Sequence, residues 1–101
     1  MGMDLIPCAP SQDAPRDENN QIVNGRYNWS GWKWLAEHLV DWGVNTDELA
    51  ELNDGDVISD RTCKIIADTI EQHLSELTIE DQTWIKQHII LWRTCGGYEQ
   101  W

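Results

Sequence analysis

Residues 59–77, Ser59-Asp60-Arg61-Thr62-Cys63-Lys64-Ile65-Ile66-Ala67-Asp68-Thr69-Ile70-Glu71-Gln72-His73-Leu74-Ser75-Glu76-Leu77, decide the fold class. Cys63, Ile66, Ala67, Ile70, Leu74 and Leu77 recur at helical spacing and form one apolar stripe. Lys64, Asp68, Glu71, Gln72 and Ser75 form the wet face. Ser59 is placed to cap the first turn, and Asp60 sits at its positive end.

Helical patterns flank this stretch on both sides. Upstream, the spacing predicts a helix beginning at a Ser30 cap, with Trp29 and Trp34 as a hydrophobic staple across it. Trp32, Leu35, Ala36, Leu39, Val40 and Trp42 share one side; Lys33, Glu37 and Asp41 lie opposite. Gly43 stands where a left-handed terminal residue is wanted. Thr46 caps a short helical turn through Leu52, and Asn53-Asp54-Gly55-Asp56 makes a turn. Downstream, Thr78-x-x-Asp81 resembles a capping box. Ile85, His88, Ile89, Trp92 and Cys95 then share a face, widened by Trp84 and Leu91, and Gly96-Gly97 ends the helix. Tyr98 and Trp101 follow as an aromatic tail.

The N-terminal third has a different texture. Residues 1–8 suit an extended segment, and residues 9–20, with Pro10 and Pro15, suit a loop. Ile22-Val23-Asn24-Gly25-Arg26-Tyr27 predicts a small hairpin, with Asn-Gly as a type I′ turn. The expected fold is mainly α: one domain of three to four helices over residues 30–101. An extended segment, loop and β-hairpin occupy residues 1–29, and α+β is the alternative class.

A chain of 101 residues buries only about 60–70% of the surface it exposes when unfolded. Seven tryptophans compensate for that thin core, because each buries about 200 Å². Eighteen acids against seven bases give a net charge of −11. That argues against direct nucleic-acid binding and against anionic membranes, and it favours a basic partner. Three cysteines (Cys8, Cys63 and Cys95) and a start without a basic, apolar leader predict a reducing, cytoplasmic setting. No run reaches the length of a membrane span.

Chemistry-bearing patterns are sparse. His38, His73 and His88 lack ligand spacing, and there is no CxxC or HExxH, so no metal and no cofactor is expected. Taken as a calcium loop, the Asp54-Gly55-Asp56 turn would put Ala50 first and Arg61 where a glutamate is required. Ser30 and Ser59 are accounted for as caps. A cysteine nucleophile needs positive surroundings that this composition does not supply. No catalytic residue is assigned, and the chain is expected not to be an enzyme.

The sharpest signal is the interval between Lys33 and Arg61, which holds no Lys or Arg. It contains Glu37, Asp41, Asp47, Glu48, Glu51, Asp54, Asp56 and Asp60. These like charges cannot pair locally, so they project a negative field that either only solubilises the chain or docks a basic surface. Trp34, on the polar side of its helix, and terminal Trp101 are the candidate aromatic anchors. Ile65 and Ile90 lie off their stripes and offer an alternative, self-association as a homodimer or assembly protein.

The chain opens Met1-Gly2-Met3-Asp4 and carries Asn28-Trp29-Ser30-Gly31-Trp32 and Asn53-Asp54-Gly55. It closes Arg93-Thr94-Cys95-Gly96-Gly97-Tyr98-Glu99-Gln100-Trp101. At these landmarks it resembles a group of small phage and prophage proteins with an MGMD start and a Cys-Gly-Gly-aromatic end. Residues 7–21 match no such pattern. The resemblance implies a phage origin, action in the host cytoplasm, and binding that blocks a host nucleic-acid-handling or defence complex, in the manner of an anti-CRISPR protein. It brings no catalytic residues with it.

Overall fold

The computed structural model describes residues 2–51 and 54–101. In chain order these form strand β1 (Gly2–Pro7), strand β2 (Gly25–Asn28), helix α1 (Trp29–Asp41), strand β3 (Val57–Ile58), helix α2 (Asp60–His73) with a 3-10 turn at Leu74–Glu76, helix α3 (Ile79–Thr94), and strand β4 (Tyr98–Gln100). The strands pair antiparallel in the order β2-β1-β4-β3. The fold is therefore α+β, the alternative class, and not a helical core with a hairpin appended.

The sheet is built by the two ends of the chain. Leu5 pairs with Gln100 and Pro7 with Tyr98, so the presumed extended segment and the presumed aromatic tail are the two central strands. Beyond β4, Trp101 and Asp4 exchange backbone hydrogen bonds of 2.8 and 3.3 Å. Side chains alternate across a strand, so Met3, Leu5, Tyr27, Ile58, Tyr98 and Gln100 turn inward and are buried. The inward apolar residues meet Leu35 and Leu39 of α1, Cys63, Ile66 and Ile70 of α2, and Ile85 and Trp92 of α3 in one core. Ile6 and Val57, both exposed, flank Glu99 on the outer face.

The predicted hairpin is overturned. Asn24-Gly25 makes no turn, and β2 begins at Gly25 and pairs with β1 instead. Ile22 forms an isolated bridge with Arg16. Gly25 is needed for close approach, not for a left-handed turn: a Cβ there would lie 3.1 Å from both the Leu5 Cβ and the Tyr98 hydroxyl.

α1 starts two residues earlier than its pattern implied. The Asn28 carboxamide, not Ser30, caps it, accepting from the Gly31 N–H at 2.7 Å. The staple shifts accordingly to Tyr27 and Trp32, whose rings lie 5.4 Å apart. The C-terminus follows expectation. Gly43 adopts φ +85°, while Val44 and Gly43 donate to the Leu39 and Val40 carbonyls at 2.8 and 3.0 Å, a Schellman closure. Ser59 caps α2 and Thr78 caps α3, as predicted. Gly96 and Gly97 leave α3 with φ of +67° and +102°. A Cβ on Gly96 would lie 2.1 Å from the Ala9 carbonyl oxygen, so glycine is required there on two counts. Around Thr46 the described residues form a single turn, Leu49 N–H to Thr46 C=O at 3.0 Å, and no helix. The predicted end of that helix at Leu52, and Asn53 of the following turn, lie outside the described residues.

Aromatic contacts knit α1 and α3 to the sheet. The buried Tyr27 hydroxyl accepts from Trp92 Nε1 at 2.9 Å, and burial pushes its pKa up. Tyr27 also packs on His88 at 4.4 Å between ring centres, with Trp84 at 5.5 Å from the same imidazole. His88 Nδ1 has no hydrogen-bond partner, and burial lowers the pKa of the ring to about 4. In the unfolded chain the imidazole regains its ordinary value near 6.5, so between those limits the unfolded state binds more protons. Stability is therefore full above about pH 6.5 and is lost as pH falls toward 4. Because solvent reaches part of the ring, we expect a loss of about 2 kcal/mol over this range. Urea titrations of the wild type and of His88→Phe, compared at each pH, check this: the variant should lack that share of the acid sensitivity. Identical pH profiles would contradict it.

No described helix is long and apolar enough to cross a membrane.

Candidate functional site: a tryptophan groove with an acidic rim

The base-free acidic interval does not form one patch. Glu37 and Asp41 lie exposed on α1, and Asp54 and Asp56 lie exposed just before β3. Asp60 pairs with Lys64 at 2.9 Å on α2. Glu48 turns to an internal task. One carboxylate oxygen accepts from the Ser59 N–H at 2.8 Å and the other accepts from the Thr62 hydroxyl, so it supplements the cap of α2. Those two donors hold Glu48 below the usual carboxylate range. Asp47 and Glu51 remain, on a segment that faces α1 across a groove.

That groove has a volume of about 720 Å³, within the range of small-ligand sites. Trp29, Trp32, Lys33 and Ala36 of α1 form one wall; Thr46, Asp47, Leu49, Ala50 and Glu51 form the other. Trp32 is buried and makes the floor, while Trp29 is half-buried at the mouth. Trp29, Lys33 and Ala36 fall at i, i+4 and i+7, so one helix face presents them together. Asp47 and Glu51 make no ion pair among the described residues, and the nearby Lys33 reaches neither.

Two hydrogen-bonding side chains hold the walls at fixed separation. Trp32 Nε1 donates to the Ala50 carbonyl at 2.9 Å. Gln100, fully buried, accepts from the Ala50 N–H at 2.6 Å and donates to the Glu48 and Asp56 carbonyls at 2.9 and 3.1 Å. Its backbone adds an acceptor for Gly55 N–H at 2.7 Å and a donor to Asp56 C=O at 3.0 Å. A polar side chain buried this completely must be satisfied, and here its partners are the backbone of the acidic segment.

The two anticipated anchors lie elsewhere. Trp34 is half-buried, tilted against His38 at 4.0 Å and edge-on to Trp84 at 5.3 Å. It lines a separate hollow of about 340 Å³ with Arg26 and Asp81. Trp101 is 47% exposed, lies over Gly55, and donates from its indole to Glu99 at 3.0 Å. Neither joins the acidic groove. Sequence reasoning missed Trp29 and Trp32 as groove walls and Gln100 as the clamp. The i, i+4, i+7 face and the alternation of Gln100 with inward Tyr98 were the signals that pointed to them.

Elsewhere two of the three thiols are enclosed. Cys63 and Cys95 are buried, their thiols donating to the Ile58 and Trp92 carbonyls, and the neighbouring Cys95 together with burial pushes the Cys63 thiol up. Cys8 is exposed, with its thiol pushed up by burial and by Glu99. Among the described residues no group of three His, Cys, Asp or Glu side chains is arranged to hold a metal ion.

No family model, no curated protein and no solved structure matches the chain. The functional assignment therefore stands on the geometry of the groove and on charge.

Proposed function

We propose that the protein is a non-enzymatic docking protein of phage origin that acts in the host cytoplasm. It binds a basic surface of a host nucleic-acid-handling or defence complex and blocks it, in the manner of an anti-CRISPR protein. One observation carries this: Asp47 and Glu51, unpaired among the described residues, rim an aromatic groove whose walls are fixed in advance by Trp32 and Gln100. Fixed walls spare the association an ordering cost, and the net charge of −11 steers a cationic partner toward them. A surface built to hold phosphate is rich in Arg and Lys, so it is the kind of partner this field selects.

Affinity capture from host lysate tests the proposal, with washes of rising salt and, separately, of excess single-stranded nucleic acid. A basic nucleic-acid-binding protein, retained at low salt and released by both washes, is the expected result. Retention of only acidic proteins, or release only by detergent, would contradict it.

A second reading, self-assembly, draws on exposed Ile6, Val57 and Trp101 on and beside the outer face of the sheet, together with exposed Ile65 and Ile90 on the helices. Sedimentation at micromolar concentration separates the two readings: docking expects a monomer and assembly a concentration-dependent dimer.

A further inference from the structure

We propose that the groove selects arginine over lysine, seating the guanidinium of a partner-protein arginine against Trp29 with Asp47 and Glu51 facing it. This presupposes the docking role proposed above and names the side chain that fills the site. Five of the seven indoles, those of Trp32, Trp34, Trp42, Trp84 and Trp92, lie against another described aromatic ring. Trp29 and Trp101 do not, and of the two only Trp29 lines the groove, half-buried and packed in part against the core. The accessible part of its ring lies across the groove from carboxylates that carry no ion pair among the described residues.

A planar, weakly hydrated guanidinium can stack on an indole and at the same time bond a carboxylate in bidentate fashion; a compact, strongly hydrated ammonium cannot do both. The adjoining Lys33 adds a positive charge to the groove wall that opposes arginine and lysine alike, so the choice between them falls to Trp29 and the two carboxylates. A second copy of this chain is a poor occupant, because each copy carries −11.

Octa-arginine and octa-lysine carry equal charge, so their affinities, measured by calorimetry at one ionic strength, isolate what a guanidinium adds over an ammonium. We expect octa-arginine to bind about tenfold tighter than octa-lysine. Trp29→Leu should bring the two within about twofold by weakening octa-arginine alone, and Lys33→Gln should tighten both peptides. If Trp29→Leu does not fold, Glu51→Gln, at an exposed position, should shrink the ratio by removing a bidentate acceptor. Equal binding of both peptides to the wild type would overturn the arginine preference and leave the docking role standing. An arginine preference that survives in Trp29→Leu would overturn the role of Trp29. Absence of binding by either peptide would overturn the docking role itself.

Discussion

Gln100→Leu should lower the stability of the protein by about 3 kcal/mol and abolish the groove. The substitution keeps a buried side chain of similar volume but removes three hydrogen bonds at once, those to Ala50 N–H, Glu48 C=O and Asp56 C=O. A single buried bond contributes only about 1 kcal/mol net, yet leaving its backbone partners unsatisfied adds their desolvation cost. The acidic segment can recover part of that by opening to water, which is why the figure is not larger. Opening moves Asp47, Leu49 and Glu51 away from Trp29 and Trp32, so the groove is lost with the bonds. Urea unfolding should show a lower midpoint at an unchanged slope. Cleavage after Glu48 by a glutamate-specific protease should accelerate. A destabilisation below about 1 kcal/mol, with protection at Glu48 retained, would show that Gln100 is not the clamp.

The second large effect is on binding. Asp47→Lys with Glu51→Lys should weaken association with a basic partner by about 100-fold at low salt, roughly tenfold for each reversed charge, and leave the thermal midpoint within a few degrees. Both side chains are exposed and free of ion pairs among the described residues, so neither reversal removes a contact the fold uses. Glu48 must be left in place: it bonds Ser59 N–H and the Thr62 hydroxyl, and its reversal would strip the first turn of α2 of an acceptor. The matched control is Asp13→Lys with Glu18→Lys, two exposed loop acids, which changes the net charge from −11 to −7 in the same way. If both double variants lose affinity equally, overall charge governs binding and the groove does not.

The helices were legible because their signals are local. Ser59, Thr78 and Gly43 act through neighbours three to five residues away, and the Cys63–Ile70 stripe needs only its own periodicity. The sheet was not, because its central pairing joins residues nearly a full chain length apart: nothing local in Leu5 names Gln100 as its partner. Asn24-Gly25 misled for a related reason. The dipeptide fits a type I′ turn, but the strand opposite Gly25 turned out to be β1 from the chain's start, and tertiary pairing overrode the local preference. The acidic interval named Asp47 and Glu51, which line the groove. It also swept in Glu48 and Asp60, whose partners on α2, Ser59, Thr62 and Lys64, could be assigned only once the segment was folded back. Trp34 and Trp101 were chosen from position alone. Trp29, hidden in the role of a staple, is the unstacked indole that lines the groove beside Asp47 and Glu51.

The central claim is that a cationic partner enters between α1 and the acidic segment. Amide and indole nitrogen–proton NMR spectra, recorded as a peptide of eight alternating arginines and lysines is added, test it most directly. The account predicts shifts of the Trp29 indole signal and of the Lys33, Asp47, Leu49 and Glu51 amides, with Ile6, Val57 and Glu99 unmoved. Shifts confined to the outer sheet face, or none at saturating peptide, would contradict it.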